Sequence, residues 1–147
     1  MNVVRLGRID RVALFGGSWL TAELCRRLVG GPLSAKLFTG PRHLDGAVDG
    51  AGTTLRKVVE GLGLPYTSTD DINREPALLD YLTESTLGLA LGAAWVFQPE
   101  LAARFNGRLL DFMGIPLHQY RGGAHYCWMI LQRSRRGACH LQVIHGG

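Results

Sequence analysis

Three side chains with chemical capacity lie close together in one stretch of the sequence, Gly107–Gly123. A short apolar strand, predicted over Arg108–Phe112, carries the carboxylate of Asp111 near its end, and His118 and Arg121 follow in a loop and a turn. Carboxylates and imidazoles take up and release protons, and a guanidinium is a fixed donor to carboxylate or phosphate groups. Because open α/β sheets place ligands beyond the carboxyl ends of their strands, this stretch is predicted to hold the functional site.

The rest of the chain is predicted to form the sheet and helices that position this stretch. Short apolar runs alternate with helical patterns, which predicts an α/β fold with a doubly wound, mostly parallel sheet. The main strands are predicted at Arg11–Phe15, Ala35–Thr39, Leu87–Leu91, Arg108–Phe112 and Ala138–Val143, with a short one at Leu64–Thr67. The helices are predicted along the stripe Leu20–Val29 and at Thr53–Leu62, Glu75–Thr86, Gln98–Phe105 and Ala124–Gln132. No repeat or linker divides residues 1–147, which are predicted to form one domain.

Composition and charge argue against a nucleic-acid partner and against a membrane partner. The chain has 16 Lys and Arg residues against 12 Asp and Glu, and a net charge of +4 spread along the sequence does not predict a nucleic-acid partner. No apolar run reaches the ~18 residues that span a membrane, so no membrane partner is predicted. The three cysteines include no CxxC pair, which predicts reduced thiols in a cytoplasmic protein. No group of residues has the spacing of metal ligands.

Two glycine-containing loops are the other candidate sites. Gly16–Ser18 follows the first strand and opens a helix, whose free N–H groups suit an anion. A plain tight turn is the alternative there, because the full GxGxxG pattern of a dinucleotide site is missing. Gly92–Phe97 follows a later strand, and its small residues let a flat ligand approach the backbone, with Trp95 and Phe97 as walls. Ordinary core aromatics are the alternative for those two side chains.

The stretch that begins at Gly107 resembles the folate-dependent formyltransferases, which include the glycinamide ribonucleotide, methionyl-tRNA and amino-sugar N-formyltransferases. In that family the strand ends in Asn-x-His-x-Ser-x-Leu-Pro, followed by an aromatic residue, Arg and Gly. The residues that match this pattern are Leu117, Tyr120, Arg121 and Gly122. At the family's Asn, His, Ser and Pro positions the sequence has Asp111, Met113, Ile115 and His118. The resemblance therefore comes with a divergent active site.

The resemblance implies a Rossmann-like fold, 10-formyltetrahydrofolate as the formyl donor, and a small-molecule amine or amino sugar as the acceptor. It assigns the folate to two segments, whose members are Gly92, Ala93, Ala94, Trp95, Val96 and Phe97, and Val143, Ile144 and His145. It assigns the acceptor substrate to Gly16, Gly17, Ser18 and Arg121. In the family the Asn and His stabilise the oxyanion of the tetrahedral intermediate, whereas the thioether of Met113 donates no hydrogen bond.

The end of the sequence aligns with the family's Asp-Glu-Gly-x-Asp-x-Gly segment. Ile144 and His145 occupy its first two positions, Gly146 matches, and the sequence stops before the Asp that completes the family's catalytic set. The resemblance therefore covers the N-terminal portion of a formyltransferase catalytic domain, without its C-terminal part. An apolar sheet face left uncovered by that part would favour a homodimer.

Two functions of different classes follow from these residues. The first is an enzyme that transfers a formyl group from 10-formyltetrahydrofolate to an amine. Its catalytic residues would be Asp111 and His118, and His125, His140 and His145 are further candidates for the missing imidazole. The second is a catalytically degenerate module that binds a ligand or a partner protein. Because the family's folate contacts come largely from the backbone, weak folate binding with poor formyl transfer is expected. A nucleotide-binding Rossmann-like protein is a third reading, against which the incomplete glycine pattern argues.

Overall fold

The computed structural model describes residues 5–116, 119–120 and 125–145, which form a single six-stranded sheet with flanking helices. The strands are β1 (Arg11–Gly16), β2 (Ser34–Thr39), β3 (Tyr66–Ser68), β4 (Thr86–Leu91), β5 (Leu109–Met113) and β6 (His140–Val143). The helices are α1 (Trp19–Leu28), α2 (Pro41–Leu44), α3 (Leu55–Leu62), α4 (Pro76–Leu79), α5 (Pro99–Arg104) and α6 (His125–Leu131), with a 3-10 helix at Ile72–Arg74. The strand order is β3-β2-β1-β4-β5-β6, and only the edge pair β5–β6 is antiparallel among these described strands.

Two hydrophobic clusters cover the two faces of the sheet, which confirms the doubly wound, mostly parallel fold. Val12 and Leu14 of β1 pack in one cluster with residues of α1 and α3. Ala13 and Phe15 pack in the other cluster with residues of α4 and α5. Because such central strands are covered on both faces, they appear in the sequence as continuous apolar runs. All five predicted main strands are found, with differences only at their ends, although the side chains of the edge strand β6 are half-buried or exposed.

Helices α1 and α3 each begin after an N-cap residue whose side chain accepts a hydrogen bond from a backbone N–H group of the first turn. The backbone N–H of Thr21 donates to the Ser18 hydroxyl at 3.4 Å, and the N–H of Ser18 donates to Thr21 Oγ1 at 3.3 Å. In α3 the N–H of Lys57 donates to Thr54 Oγ1 at 3.3 Å, and Gly63 ends the helix with φ +64°. Because Ser and Thr are favoured at N-caps and Gly is favoured in the left-handed region, the sequence predicts both helices.

The helix predicted at Glu75–Thr86 is wrong in its length. Helix α4 ends at Leu79, and Thr86 is already the first residue of β4. In the turn between them, the N–H of Thr83 donates to Thr86 Oγ1 at 2.8 Å. Such side-chain hydrogen bonds compete with helical ones, so the Thr- and Ser-rich end of the predicted helix forms a turn instead.

Helix α6 lies where the sequence predicts an amphipathic helix, but it has no buried residue. The exposed fraction is 57% for Trp128, 76% for Ile130 and 73% for Leu131, and Leu141 of β6 is 64% exposed. These large apolar side chains of α6 and β6 are left uncovered by the described residues. Among the described helices, none is both long and apolar enough to cross a membrane.

Candidate functional site

A cavity of about 470 Å³ lies beyond the carboxyl ends of β4 and β5, between the start of α1 and the start of α6. We call it the α6 cavity. It is lined by Ser18, Leu20, Leu91, Gly92, Asp111, Phe112, Met113, Gly114, Ile115, His125 and Tyr126. Most of these side chains are apolar, so the carboxylate of Asp111 and the imidazole of His125 are prominent polar groups in an otherwise apolar cavity.

A second cavity, of about 350 Å³, lies beside the first at the same edge of the sheet. We call it the loop cavity, because the segment between β4 and α5 forms most of its wall. It is lined by Ala90, Gly92, Ala93, Trp95, Val96, Phe97, Asp111 and Ile144. Gly92 and Asp111 line both cavities, so Asp111 lies at the boundary between them.

Asp111 is half-buried near the end of β5, in the antiparallel pair with β6. Burial raises the pKa of its carboxyl above the usual 3.8, and a hydrogen bond from Gln142, whose Nε2 donates to Asp111 Oδ2 at 3.3 Å, partly offsets this rise. The same Nε2 lies 3.0 Å from Met113 Sδ. Met113 stands opposite His140 in the register, so these four side chains share one face of the strand pair. A carboxyl with a raised pKa is better matched to proton transfer near neutral pH.

The wall of the loop cavity is held in place by Asn73, a residue that the sequence analysis does not single out. Asn73 Nδ2 donates to the carbonyl oxygen of Val96 at 3.0 Å, and the N–H of Gln98 donates to Asn73 Oδ1 at 2.8 Å. In the part of the chain that the structure describes, the N–H groups of residues 93–97 donate to no main-chain carbonyl. A single amide side chain has no periodicity, and only this fixed loop geometry reveals its role.

Most of the predicted folate-binding residues meet in the loop cavity. Those that line it are Gly92, Ala93, Trp95, Val96, Phe97 and Ile144. Ala94 lines an adjoining cavity of about 520 Å³ together with Trp95 and Arg42. Val143 pairs with Leu110 and His145 is exposed, and neither lines the loop cavity.

Phe97 also belongs to the core, because its ring packs edge-on against Phe15 with the ring centroids 5.1 Å apart. Trp95 likewise packs against the cluster that contains Phe15. The two alternatives for these aromatics are therefore both present, since each ring fills the core on one side and forms a cavity wall on the other.

The loop Gly16–Ser18 contributes one side chain to the α6 cavity, that of Ser18. A Cβ on Gly16 would lie 2.5 Å from the carbonyl oxygen of Leu91, and a Cβ on Gly17 would overlap the ring of His43. Both glycines are thus required for the close approach of neighbouring elements. The structure gives these two positions a packing role, and their predicted contact with the acceptor stays a prediction.

His118 and Arg121 lie outside the described residues, so their predicted roles stay predictions. Helix α6 instead brings His125 and Tyr126 to the cavity that Asp111 lines. Their rings are 4.1 Å apart, and the Tyr126 hydroxyl donates to the carbonyl oxygen of Gly114 at 3.0 Å. The sequence includes His125 among several candidate histidines, but it does not show which of them the fold brings to Asp111. Within the described ranges, no group of three or more His, Cys, Asp or Glu side chains could hold a metal ion.

No protein-family model and no curated protein sequence matches the chain. Solved structures do match it. Phosphoribosylglycinamide formyltransferase from Brucella melitensis is similar with a TM-score of 0.63 and 18% identity, over 94% of this chain and 74% of that one. A sugar 3N-formyl transferase in the presence of dTDP and 5-N-formyl-THF is similar with a TM-score of 0.66 and 15% identity, over 96% of this chain and 48% of that one.

Formyltetrahydrofolate deformylase from Burkholderia mallei is similar with a TM-score of 0.65 and 17% identity, over 95% of this chain and 50% of that one. At these identities the similarity concerns the fold. The chain therefore has the formyltransferase fold that the sequence predicts, and it spans only part of each of these three structures.

Proposed function

We propose that the chain is a formyltransferase-like protein that binds a reduced folate in the loop cavity and transfers its formyl group to an amine in the α6 cavity. The observation that carries this proposal is the position of Asp111, which lines both cavities. A transfer between two substrates needs a donor site and an acceptor site that meet at one reactive group. The names of the structures with the same fold, all of which act on formyl groups, support this substrate class.

The residues of the loop cavity fit the pterin end of 10-formyltetrahydrofolate, the formyl donor that the resemblance implies. The cavity volume of about 350 Å³ lies within the usual range for small-molecule sites. Gly92 and Ala93 leave the main chain accessible, and the N–H groups of residues 93–97 can donate to a flat polar ring. Asp111 can accept a hydrogen bond at the inner end. The bound folate would supply an activated formyl group at the boundary between the two cavities.

The α6 cavity fits the acceptor. Its mainly apolar wall excludes water, and the Ser18 hydroxyl and the Asp111 carboxyl supply the polar contacts that an amine needs. An amine attacks a formyl carbon only when its nitrogen loses a proton, and a carboxyl of raised pKa suits this step. Because the lining is largely apolar, we propose that the amine sits on a body with an apolar face, such as an amino sugar.

The second candidate is a catalytically degenerate module that binds folate without turnover. It is favoured by Met113, which lines the α6 cavity beside Asp111 but has only a thioether. A thioether neither transfers a proton nor donates a hydrogen bond to an oxyanion, and the loss of one such donor typically costs about a hundredfold or more in rate.

Both candidate functions require a reduced folate to bind in the loop cavity. Calorimetry with 5-formyltetrahydrofolate, a stable reduced folate, tests this binding. We expect binding at one site, weakened at least about tenfold in Ile144→Trp, because a large ring at this position fills the loop cavity. Leu141→Trp on the same edge strand is the matched control, since Leu141 is 64% exposed and does not line that cavity. Equal affinities of the two variants would place the ligand elsewhere.

A formyl-transfer assay over a panel of amines and amino sugars, with 10-formyltetrahydrofolate as donor, then separates the two candidates. Transfer to one class of amine supports the enzyme. Saturable folate binding with no transfer to any amine and no release of formate supports the binding module.

A further inference from the structure

We propose that Asp111 and His125 act together as the proton-transfer pair of this site. The proposal rests on the proposed function and adds to it a second catalytic residue, on an element separate from the strand that carries Asp111. Helix α6 brings His125 to the same cavity that Asp111 lines, although a loop separates the two residues in sequence.

The imidazole of His125 is positioned by the start of α6. His125 is half-buried, and its ring lies 4.1 Å from the ring of Tyr126, centroid to centroid. Tyr126 fixes the helix to the loop after β5, because its hydroxyl donates to the carbonyl oxygen of Gly114 at 3.0 Å. A Cβ on Gly114 would lie 2.7 Å from that hydroxyl oxygen, so a larger residue at this position would displace the Tyr126 hydroxyl. The same loop begins three residues after Asp111, which ties the positions of the two groups together.

Few other titratable groups face this pair. In the α6 cavity the titratable side chains among the described lining residues are Asp111, His125 and Tyr126. On β6, Gln142 stands opposite Asp111 and is neutral, and His140 stands opposite Met113 on the same face. The apolar lining limits water around the carboxyl, whose pKa is raised by burial. A carboxylate and an imidazole in such surroundings are suited to exchange one proton with a substrate between them.

In the proposed step one N–C bond forms and one N–C bond breaks. As the amine nitrogen bonds to the formyl carbon, the Asp111 carboxylate takes the proton that this nitrogen loses. As the formyl carbon separates from its original nitrogen, protonated His125 gives a proton to that nitrogen. The products are a formamide and an N–H group, and the proton held by Asp111 returns to His125 directly or through water. No electrons are gained or lost.

The first test measures contact without turnover. Diethyl pyrocarbonate modifies unprotonated histidines, and peptide mass spectrometry reads the extent at each site. We expect saturating 5-formyltetrahydrofolate to slow modification of His125 at least about fivefold. Equal rates at His125 with and without the ligand would overturn the proposal, because a proton donor must lie beside the folate.

The second test measures rate with water as acceptor, since the amine is unidentified. Hydrolysis of 10-formyltetrahydrofolate to formate is followed in the wild type and in His125→Gln, which keeps a polar side chain but cannot transfer a proton. We expect kcat to fall about a hundredfold, as for loss of a general acid or base, with the affinity for 5-formyltetrahydrofolate unchanged. Ile130→Gln on the same helix is the matched control and keeps the wild-type kcat, because Ile130 is 76% exposed and does not line the α6 cavity. Asp111→Asn should show a similar loss, and the double variant little further loss, because the two groups act in one step.

The outcomes separate this proposal from the proposed function. Absence of folate binding in the wild type would contradict both the proposed function and the Asp111–His125 pair. If His125→Gln keeps the wild-type folate binding and hydrolysis, the Asp111–His125 pair is contradicted and the proposed function is not. Folate binding with neither hydrolysis nor transfer to any amine in the wild type also overturns the pair and leaves the binding module. A protein that hydrolyses the donor and loses this activity in His125→Gln, but not in Ile130→Gln, establishes the pair.

Discussion

Asp111 differs from two other acidic residues whose pKa the fold changes. Asp45 and Asp49 are exposed, and hydrogen bonds to Arg56 and Thr53 lower the pKa of each carboxyl. Burial raises the pKa of Asp111 instead. The fold thus keeps a destabilising carboxylate at the boundary of two cavities, a pattern that marks functional sites more often than structural ones.

At the scale of one residue, this shift predicts how stability depends on pH. The pKa of Asp111 is higher in the folded than in the unfolded chain, so folded protein holds the proton to higher pH, and ionisation of Asp111 destabilises the fold as pH rises. Asp111→Asn should therefore raise Tm at pH 7, and this gain should shrink as the pH falls toward the usual 3.8 of the carboxyl. Thermal unfolding across this range is the measurement.

The control for that series is Asp45→Asn, for which the sign is opposite. A hydrogen bond with Arg56 lowers the pKa of Asp45, so its ionised form favours the fold above the unfolded pKa and this contribution is lost as the pH falls. Asp45→Asn should give no gain in Tm at pH 7. A gain in Asp111→Asn that is the same at every pH would show that charge is not its cause.

The cysteines give a second prediction at this scale. Cys25 is buried in α1 and burial raises the pKa of its thiol to about 11, whereas Cys127 and Cys139 are exposed. Because the thiolate is the reactive form, we expect only Cys127 and Cys139 to react quickly with a disulfide reagent in the folded protein, and Cys25 to react only after denaturation. Thiol titration with and without denaturant measures this, and fast reaction of Cys25 in the folded chain would contradict the described core.

At the scale of elements, the sequence predicts the strands and helices that leave a periodic apolar pattern. It does not predict the features that depend on individual side-chain hydrogen bonds. The strands around β1 are found because apolar runs covered on both faces leave a clear pattern, and α3 is found because Thr54 and Gly63 mark its ends. The helix after Glu75 was predicted too long because hydrogen bonds between Thr side chains are not visible as periodicity. The hydrogen bonds of Asn73 to the segment 92–97 were missed for the same reason.

Asn73 is predicted to be a positioning residue for the loop cavity. Asn73→Ala removes two hydrogen bonds to the segment that ends at Gln98, so the loop should lose its fixed shape. We expect affinity for 5-formyltetrahydrofolate to fall about tenfold or more, while stability falls by only about 1–2 kcal/mol because these groups are exposed. Calorimetry and urea unfolding measure the two effects.

Asp71→Ala is the matched control for this variant. Asp71 accepts a hydrogen bond from the N–H of Asn73 at 3.0 Å and, in the described part of the chain, makes no hydrogen bond to the segment 92–97. It should lower stability slightly and leave the affinity unchanged. If both variants weakened binding equally, the effect would come from the turn and not from the hydrogen bonds of the Asn73 side chain.

Two glycines in neighbouring elements should respond in opposite ways to the same substitution. Gly16→Ala places a Cβ 2.5 Å from the carbonyl oxygen of Leu91 and 2.7 Å from Thr21 Oγ1, and we expect a loss of about 1–3 kcal/mol or more. Gly61→Ala in helix α3 meets no atom within 4 Å and should stabilise the chain by about 0.5–1 kcal/mol. Urea unfolding compares them, and a neutral Gly16→Ala would show that β1 and β4 are not as close as described.

At the scale of the whole molecule, the sequence predicts the fold well and the site in part. The formyltransferase fold follows from the order of strands and helices together with the motif around Tyr120, and the structure confirms it. The loop cavity follows from Gly92–Phe97, because a segment of small residues after a central strand must lie at the carboxyl edge. The place of His125 does not follow, since it depends on how α6 packs beyond the sheet. The homodimer stays a prediction, and sedimentation velocity of the wild type and Trp128→Glu would measure it.

The most direct test of the account is a map of folate binding on the whole chain. In a nitrogen-15-labelled sample, titration with 5-formyltetrahydrofolate should shift backbone amide signals in a saturable way, most strongly at Gly92–Phe97, Asp111 and Ile144. That result would place a reduced folate in the loop cavity beside the carboxyl on which the proposed transfer depends. Contradiction would come from signals that do not shift, or from shifts confined to the opposite edge of the sheet around Arg8 and Asn106.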